Sequence, residues 1–204
     1  MHALRLALMA LVLCLGIQSG FAEPIITKTY SHYPVGGRTS GELEQELWRQ
    51  GPELAETGNR HPGATRIKIG RMISYAQSNG KCAVRDVEVR LETHLTLPRW
   101  TERDAADRTA ALVWIVLSSD IKRHEERHAE IARQWARTLE RELRALRPQP
   151  DCVRMQAQVE AVSKTILEKH SADHDRFDRV EAASFERRIS RILRYKAEQI
   201  RDSW

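Results

Sequence analysis

From Thr101 onward the chain reads as helix, and only Pro148 and Pro150 break it. The first helical stretch runs from Ala105–Leu117 through Ser118-Ser119-Asp120 to about Leu146. The second runs from Cys152 to about Ile200. No linker, repeat or low-complexity tract separates them. Whatever precedes Thr101 must therefore pack beside two long helices.

The preceding part has strand character. Ile25–Val35 is rich in β-branched and aromatic residues and ends at Pro34 and Gly36-Gly37. Thr39 opens a capping-box pattern with Glu42, which predicts a short helix over Ser40–Gln50. That helix is expected to bury Leu43, Leu47 and Trp48, and Gly51-Pro52 stops it. Asn59–Ala64 reads as a loop. Thr65–Ala76 and Lys81–Leu97 read as strands around Ser78-Asn79-Gly80, a hairpin signal. Val84, Val87, Val89 and Leu91 alternate with polar residues in the second strand. The order β-α-β-β-α-α predicts an α+β domain, a small antiparallel sheet with a hairpin packed beside two long helices.

The first 22 residues are expected to be a secretory signal peptide. Met1–Ala22 carries Arg5, an apolar run from Leu6 to Leu15, and small residues before a cut near Ala22. The run is short for a membrane span, and Leu13 before Cys14 argues against lipidation. Residues 23–204 then form one domain, β-rich over 23–100 and helical over 101–204. The mature chain keeps Cys82 and Cys152, which an exported protein is expected to pair as a disulfide. A periplasmic or secreted location follows. Basic and acidic residues are interleaved along the helices as in RTLERELRALR, which speaks for solvated faces and against a nucleic-acid partner. No later stretch is apolar enough for a stable membrane span, and nothing indicates an oligomeric state.

Within the first long helix lies His124-Glu125-Glu126-Arg127-His128, a fit to H-E-x-x-H. Four residues are about one helical turn, so both imidazoles project from one face. That face also carries Ile121, Ile131, Trp135 and Leu139. Glu125 sits about 100° round the helix, in the position of a general base beside a metal rather than on it. The composition, rich in His, Glu and Arg, also allows the pattern by chance. The charged Glu126 and Arg127 are unusual at the two central positions.

A catalytic zinc site needs a third protein ligand. The extended H-E-x-x-H-x-x-G-x-x-H form is absent, because Ile131 and Gln134 occupy the relevant positions. The last helix offers His170, His174 and Asp178 at spacings of four, with Glu181 on the same face. Helical projection puts His174 and Glu181 most inward, with His170 and Asp178 to either side. Such groups on a face with Ile166, Phe177 and Phe185 need either a metal or a hydrogen-bonded network between helices. His32, His61 and His94 are isolated and read as surface or structural residues. Neither a nucleophile elbow nor a phosphate-cradling glycine loop occurs.

From about Tyr30 to Phe185 the chain resembles a family of exported bacterial proteins regarded as zinc-dependent proteases, the domain of unknown function nine-two-two. The resemblance rests on Tyr33-Pro-Val-Gly-Gly, Gly51-Pro52, and Cys82 followed by Val84 and Val87. It also rests on Thr96-Leu97-Pro98-Arg99-Trp100, Trp114, the HEERH motif and Phe177-Asp178. The family pattern continues with a threonine and a His-Gly, where this chain has Val180-Glu181-Ala182-Ala183-Ser184. The resemblance implies a zincin-like domain with one Zn²⁺ per chain, held by His124, His128 and a residue of the last helix. Asp178 or His174 is the expected third ligand, ahead of Glu181 and His170. The expected activity is peptide hydrolysis with Glu125 as general base and a peptide or protein as substrate. The rival expectation is a non-catalytic exported protein that binds a metal or presents its helices to a partner.

Overall fold

The computed structural model describes residues 23–53 and 58–202, so the expected signal peptide over Met1–Ala22 lies outside the described residues. The elements are β1 (Ile25–Val35), α1 (Ser40–Gln50), β2 (Ala64–Ser78), β3 (Lys81–Trp100), a 3-10 turn over Arg103–Ala105, α2 (Arg108–Arg144) and α3 (Cys152–Asp202). This is the expected α+β class, a three-stranded sheet beside two long helices.

Local chemistry explains most of the boundaries. The Thr39 hydroxyl accepts the Glu42 N–H, and the Glu42 carboxylate accepts the Thr39 N–H at 3.2 Å, so the capping box starts α1. Asn79 and Gly80 both take positive φ, which closes the tight β2–β3 hairpin. The Asp107 side chain accepts the Ala110 N–H at 2.6 Å and caps α2. After α2, Gln149 exchanges two 2.8 Å backbone hydrogen bonds with Cys82, and the Asp151 carboxylate accepts the Arg154 N–H at the start of α3. The expected disulfide is present, joining Cys82 of β3 to Cys152 at the head of α3.

Two expectations are corrected. The sheet is mixed rather than wholly antiparallel. Its order is β1-β3-β2, and β1 runs parallel to β3, in register from Ile25↔Arg90 to Val35↔Trp100. Both strands end together, where Thr101 N–H donates to Val35 O and Trp100 Nε1 donates to Gly37 O at 2.8 Å. Trp48 is not buried with Leu43 and Leu47 but is exposed, beside the His61 ring.

Both helices cover the same sheet face. Val87, Val89 and Leu91 of β3 pack against Ala132, Ala136, Leu139 and Leu143 of α2 and Met155, Val159 and Ile166 of α3. The alanines let α2 approach the sheet closely. A second cluster joins Val35, Leu43, Leu47, Trp100 and Ala110, with Trp114 packed beside it. The opposite sheet face is polar, with His94 bridging the Thr29 and Ser31 hydroxyls at 2.8 Å each. Helices α2 and α3 run antiparallel, as the pairs Trp135–Asp173, His128–Asp178 and Asp120–Arg188 show. Among the described residues no helix is long and apolar enough to cross a membrane.

Candidate metal centre

The seam between α2 and α3 gathers the motif histidines with one carboxylate. His124 Nε2 and His128 Nε2 lie 3.0 Å apart. Asp178 Oδ1 of α3 is 3.3 Å from the first and 3.0 Å from the second. These are potential metal-ligand atoms converging on one point. A tetrahedral ion with bonds of about 2.0–2.1 Å has ligand atoms about 3.3 Å apart along each edge. The observed triangle matches one face of such a tetrahedron, slightly contracted. Two imidazoles and a carboxylate are also a donor set that suits zinc.

The surroundings are partly dry on one side and open on the other. Phe177 stacks on His124 at 4.9 Å between ring centroids and meets His128 edge-on at 5.1 Å. The His128 side chain is 13% exposed, whereas that of Asp178 is 52% exposed. Charge is shared unevenly in the triangle. Burial opposes ionisation of Asp178, but hydrogen bonds from His124 and His128 and their charges hold its carboxyl far below the usual range. Burial disfavours the His124 cation, yet Asp178, Glu125 and Glu181 together raise its pKa above the ordinary value.

Glu125 points toward the sheet, one helix position from the triangle. It is only 5% exposed, and its Oε2 is 2.7 Å from Thr65 Oγ1 at the start of β2. Burial raises its pKa, and the Thr65 hydrogen bond and the two motif histidines oppose that rise. Gly63 lies against it, since a Cβ there would come within 2.8 Å of Glu125 Oε1 and 2.7 Å of Ile121 Cγ2. Tyr33 closes the same corner, donating its hydroxyl to Pro62 O at 2.7 Å. Burial, then the nearby Glu125 charge, raises the Tyr33 pKa. The charged Glu126 faces away and bonds to Lys28 Nζ at 2.7 Å and Tyr30 OH at 2.5 Å on β1. Its charge is therefore paired on β1 and not at the triangle.

The other candidates on α3 are nearby but occupied otherwise. His174 does not join the triangle. Its Nδ1 meets Nδ1 of His128 at 2.6 Å, on the ring edge opposite the triangle. Its Nε2 meets His170 Nε2 at 2.9 Å. Burial, then the adjacent His170 and His128 rings, which would repel a third cation, lowers the His174 pKa to about 4, so the ring is neutral at neutral pH. Burial lowers the His170 pKa as well. Glu181 bonds to Arg123 and Arg188, with Nη2 of Arg188 at 3.1 Å, and its Oε2 faces His124 Nδ1 at 3.9 Å. Positions 174, 178 and 181, about one turn apart, thus face His128, the triangle and His124 in that order.

Arg188 also pairs with buried Asp120 through Nε and Nη2, each at 3.0 Å, and Arg123 joins the same carboxylate at 3.0 Å. Sequence reasoning did not single out Thr65, Gly63, Asp120 or Arg188. Asp120 had a readable signal, because it stands one turn before His124 beside the apolar stripe. Thr65 and Gly63 had none, since only tertiary packing brings the start of β2 to the motif.

A family model described as bacterial protein of unknown function (DUF922) matches residues 30–186, well over half of the chain. The chain belongs to that family. No curated protein and no solved structure matches it.

Proposed function

We propose that this member of the family is a zinc-dependent peptidase of an oxidising, extracytoplasmic compartment. The observation that carries the reading is the triangle of His124 Nε2, His128 Nε2 and Asp178 Oδ1, with Glu125 as the next residue along α2. His124 and His128 would bind Zn²⁺ as neutral imidazoles, and Asp178 would be the carboxylate ligand in place of His174. When bound, zinc supplies Lewis acidity, which lowers the pKa of water toward neutrality and polarises a carbonyl. Glu125 is the general base, accepting a proton from water and delivering it to the leaving amine. Its raised pKa suits a group that must both take and give a proton near neutral pH. The exposed flank of Asp178 leaves a side for substrate to enter.

The substrate class is a peptide or an extended protein segment. The strand order puts β2 at a sheet edge, and its first residues lie against Glu125. An added peptide strand could take its backbone hydrogen bonds from that edge. The Cys82–Cys152 disulfide supports an oxidising compartment, as does the expected signal peptide.

The direct test is zinc content and hydrolysis of unstructured peptides by the full mature chain without a histidine tag. One zinc per chain is expected. Glu125→Gln should keep the zinc and lose turnover. Equal turnover by Glu125→Gln and the parent would falsify the mechanism.

One observation favours a second reading, a non-catalytic metal-binding protein. The Glu125 carboxylate is almost wholly buried and rests on Thr65. On that reading zinc still binds, and Glu125→Gln changes stability without any turnover existing to lose.

A further inference from the structure

Two histidines of α3 are left over once Asp178 takes the third corner of the triangle, yet they are not randomly placed. His128 Nδ1, His174 and His170 form a continuous chain of ring nitrogens. The Nδ1···Nδ1 contact from His128 to His174 is 2.6 Å, and the Nε2···Nε2 contact from His174 to His170 is 2.9 Å. The planes of the first pair are nearly parallel, at 16°, with ring centroids 4.8 Å apart, so the two rings meet edge to edge, and the second pair is near perpendicular at 80°.

A neutral imidazole carries one N–H, so each contact needs one donor and one acceptor. The chain therefore has two self-consistent directions. In one, His128 Nδ1–H donates to His174 Nδ1, His174 Nε2–H donates to His170 Nε2, and His170 keeps its proton on Nδ1. The Nε2 lone pair of His128 then points into the triangle. In the other, every proton sits on the opposite nitrogen of its ring. His128 then presents Nε2–H to Asp178 Oδ1, 3.0 Å away, and cannot bind a metal. Only the first direction is compatible with a ligating His128.

We propose that His174 is a positioning residue, which accepts the Nδ1 proton of His128 and so fixes the metal-binding tautomer, and that His170 fixes His174 in turn. This rests on the zinc reading of the triangle. The arrangement is the imidazole counterpart of the carboxylate that commonly orients a metal-binding histidine. The neutral partner leaves the net charge of the zinc site unchanged, whereas a carboxylate in place of His174 would add a negative charge. Passing from the second direction to the first moves one proton across each ring contact. One proton is taken up at His170 Nδ1 and one is released from His128 Nε2, so the chain's total charge is unchanged.

The test is Zn²⁺ affinity of the full mature chain, measured against a chromogenic chelator, with helicity followed by circular dichroism. His174→Ala should weaken zinc binding by about ten- to a hundredfold while one site remains. His174→Asn, whose side-chain oxygen lies where Nδ1 was, should restore most of that loss. His170→Ala should weaken binding less than His174→Ala. In the zinc-loaded parent, nitrogen-15 NMR should place the proton on Nδ1 of His128 and on Nε2 of His174. Four results would overturn the proposal. They are unchanged affinity in His174→Ala, complete loss of the site in His174→Ala with the helices intact, an unprotonated His128 Nδ1 in the zinc-loaded protein, and two zinc ions per chain with one lost in His170→Ala. A parent that takes up no zinc overturns both this proposal and the reading it rests on. Zinc binding with these variant effects but no peptide hydrolysis overturns the peptidase reading alone.

Discussion

Thr65 Oγ1 lies 2.7 Å from Glu125 Oε2 and 3.0 Å from the Glu125 backbone oxygen. One hydroxyl hydrogen faces two acceptors. When Glu125 is ionised, the hydrogen is drawn to the carboxylate. When Glu125 is protonated, its own O–H donates to Thr65 and the hydroxyl is free to serve the backbone oxygen. Thr65 thus has a partner in both states of the proposed base. Thr65→Val keeps the shape and removes the bond. It should cost about 2 kcal/mol of stability at neutral pH, because a buried carboxylate loses its donor. The bond to Thr65 lowers the Glu125 pKa, so its loss should raise that pKa further. The acid limb of a pH–rate profile should therefore move to higher pH, with zinc content unchanged. An unmoved limb in an active Thr65→Val enzyme would contradict the assignment of Glu125.

Gly63 makes a steric counterpart to that test. A methyl group there would enter the space between Ile121 Cγ2 and Glu125 Oε1. Gly63→Ala should push the carboxylate off Thr65 and lower turnover by at least about tenfold, because the base would lose its fixed position. Zinc content should be that of the parent, since the close contacts of Gly63 are with Ile121 and Glu125 and not with the triangle residues. Normal turnover in Gly63→Ala would show that the carboxylate has a second workable position.

Features set by local physics are legible in the sequence, whereas those set by non-local packing are not. The capping box of Thr39 and Glu42, the Asn79-Gly80 turn and the common face of His124 and His128 are each set within a few residues, and all are present. The direction of β1 was not readable, because its pairing with β3 depends on how the intervening elements cross. The third corner of the triangle shows the same limit at finer scale. Asp178 and His174 differ by one turn, about 6 Å along the helix axis. A helical projection records angle and discards that distance. What selects Asp178 is the antiparallel register of α3 on α2, fixed by the Cys82–Cys152 link at one end and by Arg188 on Asp120 at the other.

The disulfide closes a loop of 70 residues in sequence. A loop of that size restricts the unfolded chain enough to stabilise the fold by about 4 kcal/mol on the chain-entropy model. Replacing Cys82 and Cys152 together by serine should lower the urea midpoint accordingly. Because α3 would then be tied to the sheet less firmly at its start, hydrogen exchange should rise first near Met155 and Val159, well before the segment around Asp178. Uniform loss of protection along α3 would argue against such a local anchor.

Asp120 holds the far end of that register. It is buried and bonded by both Arg123 and Arg188. Asp120→Asn should cost about 3 kcal/mol at neutral pH, since it leaves two guanidinium groups short of a charge. Burial opposes ionisation of Asp120, but the two arginines outweigh it and depress its pKa below 3.8. A carboxylate with a depressed folded pKa stabilises above its unfolded pKa and loses that contribution as pH falls through the folded value. The difference between parent and variant should hence be constant down to about pH 4 and shrink below it. A difference that shrinks near pH 6 would place the responsible group elsewhere, on a histidine.

Asp178 and Glu181 separate the proposed ligand from its neighbour. Both carboxylates lie near His124, but only Asp178 reaches the point where the two Nε2 atoms meet. Zinc that binds the folded chain alone should stabilise it by about 2.7 kcal/mol at a hundredfold excess over its Kd. Asp178→Asn replaces a charged donor by a neutral one and should remove most of that gain. Glu181→Gln should keep the zinc-dependent gain. It should lower the stability of the metal-free protein, because Arg123 and Arg188 lose part of their partner. Thermal melts of the three proteins, each with and without zinc, read both effects at once. If Glu181→Gln loses the zinc-dependent shift and Asp178→Asn retains it, the third ligand is Glu181, and α3 must turn or slide on α2 to deliver it.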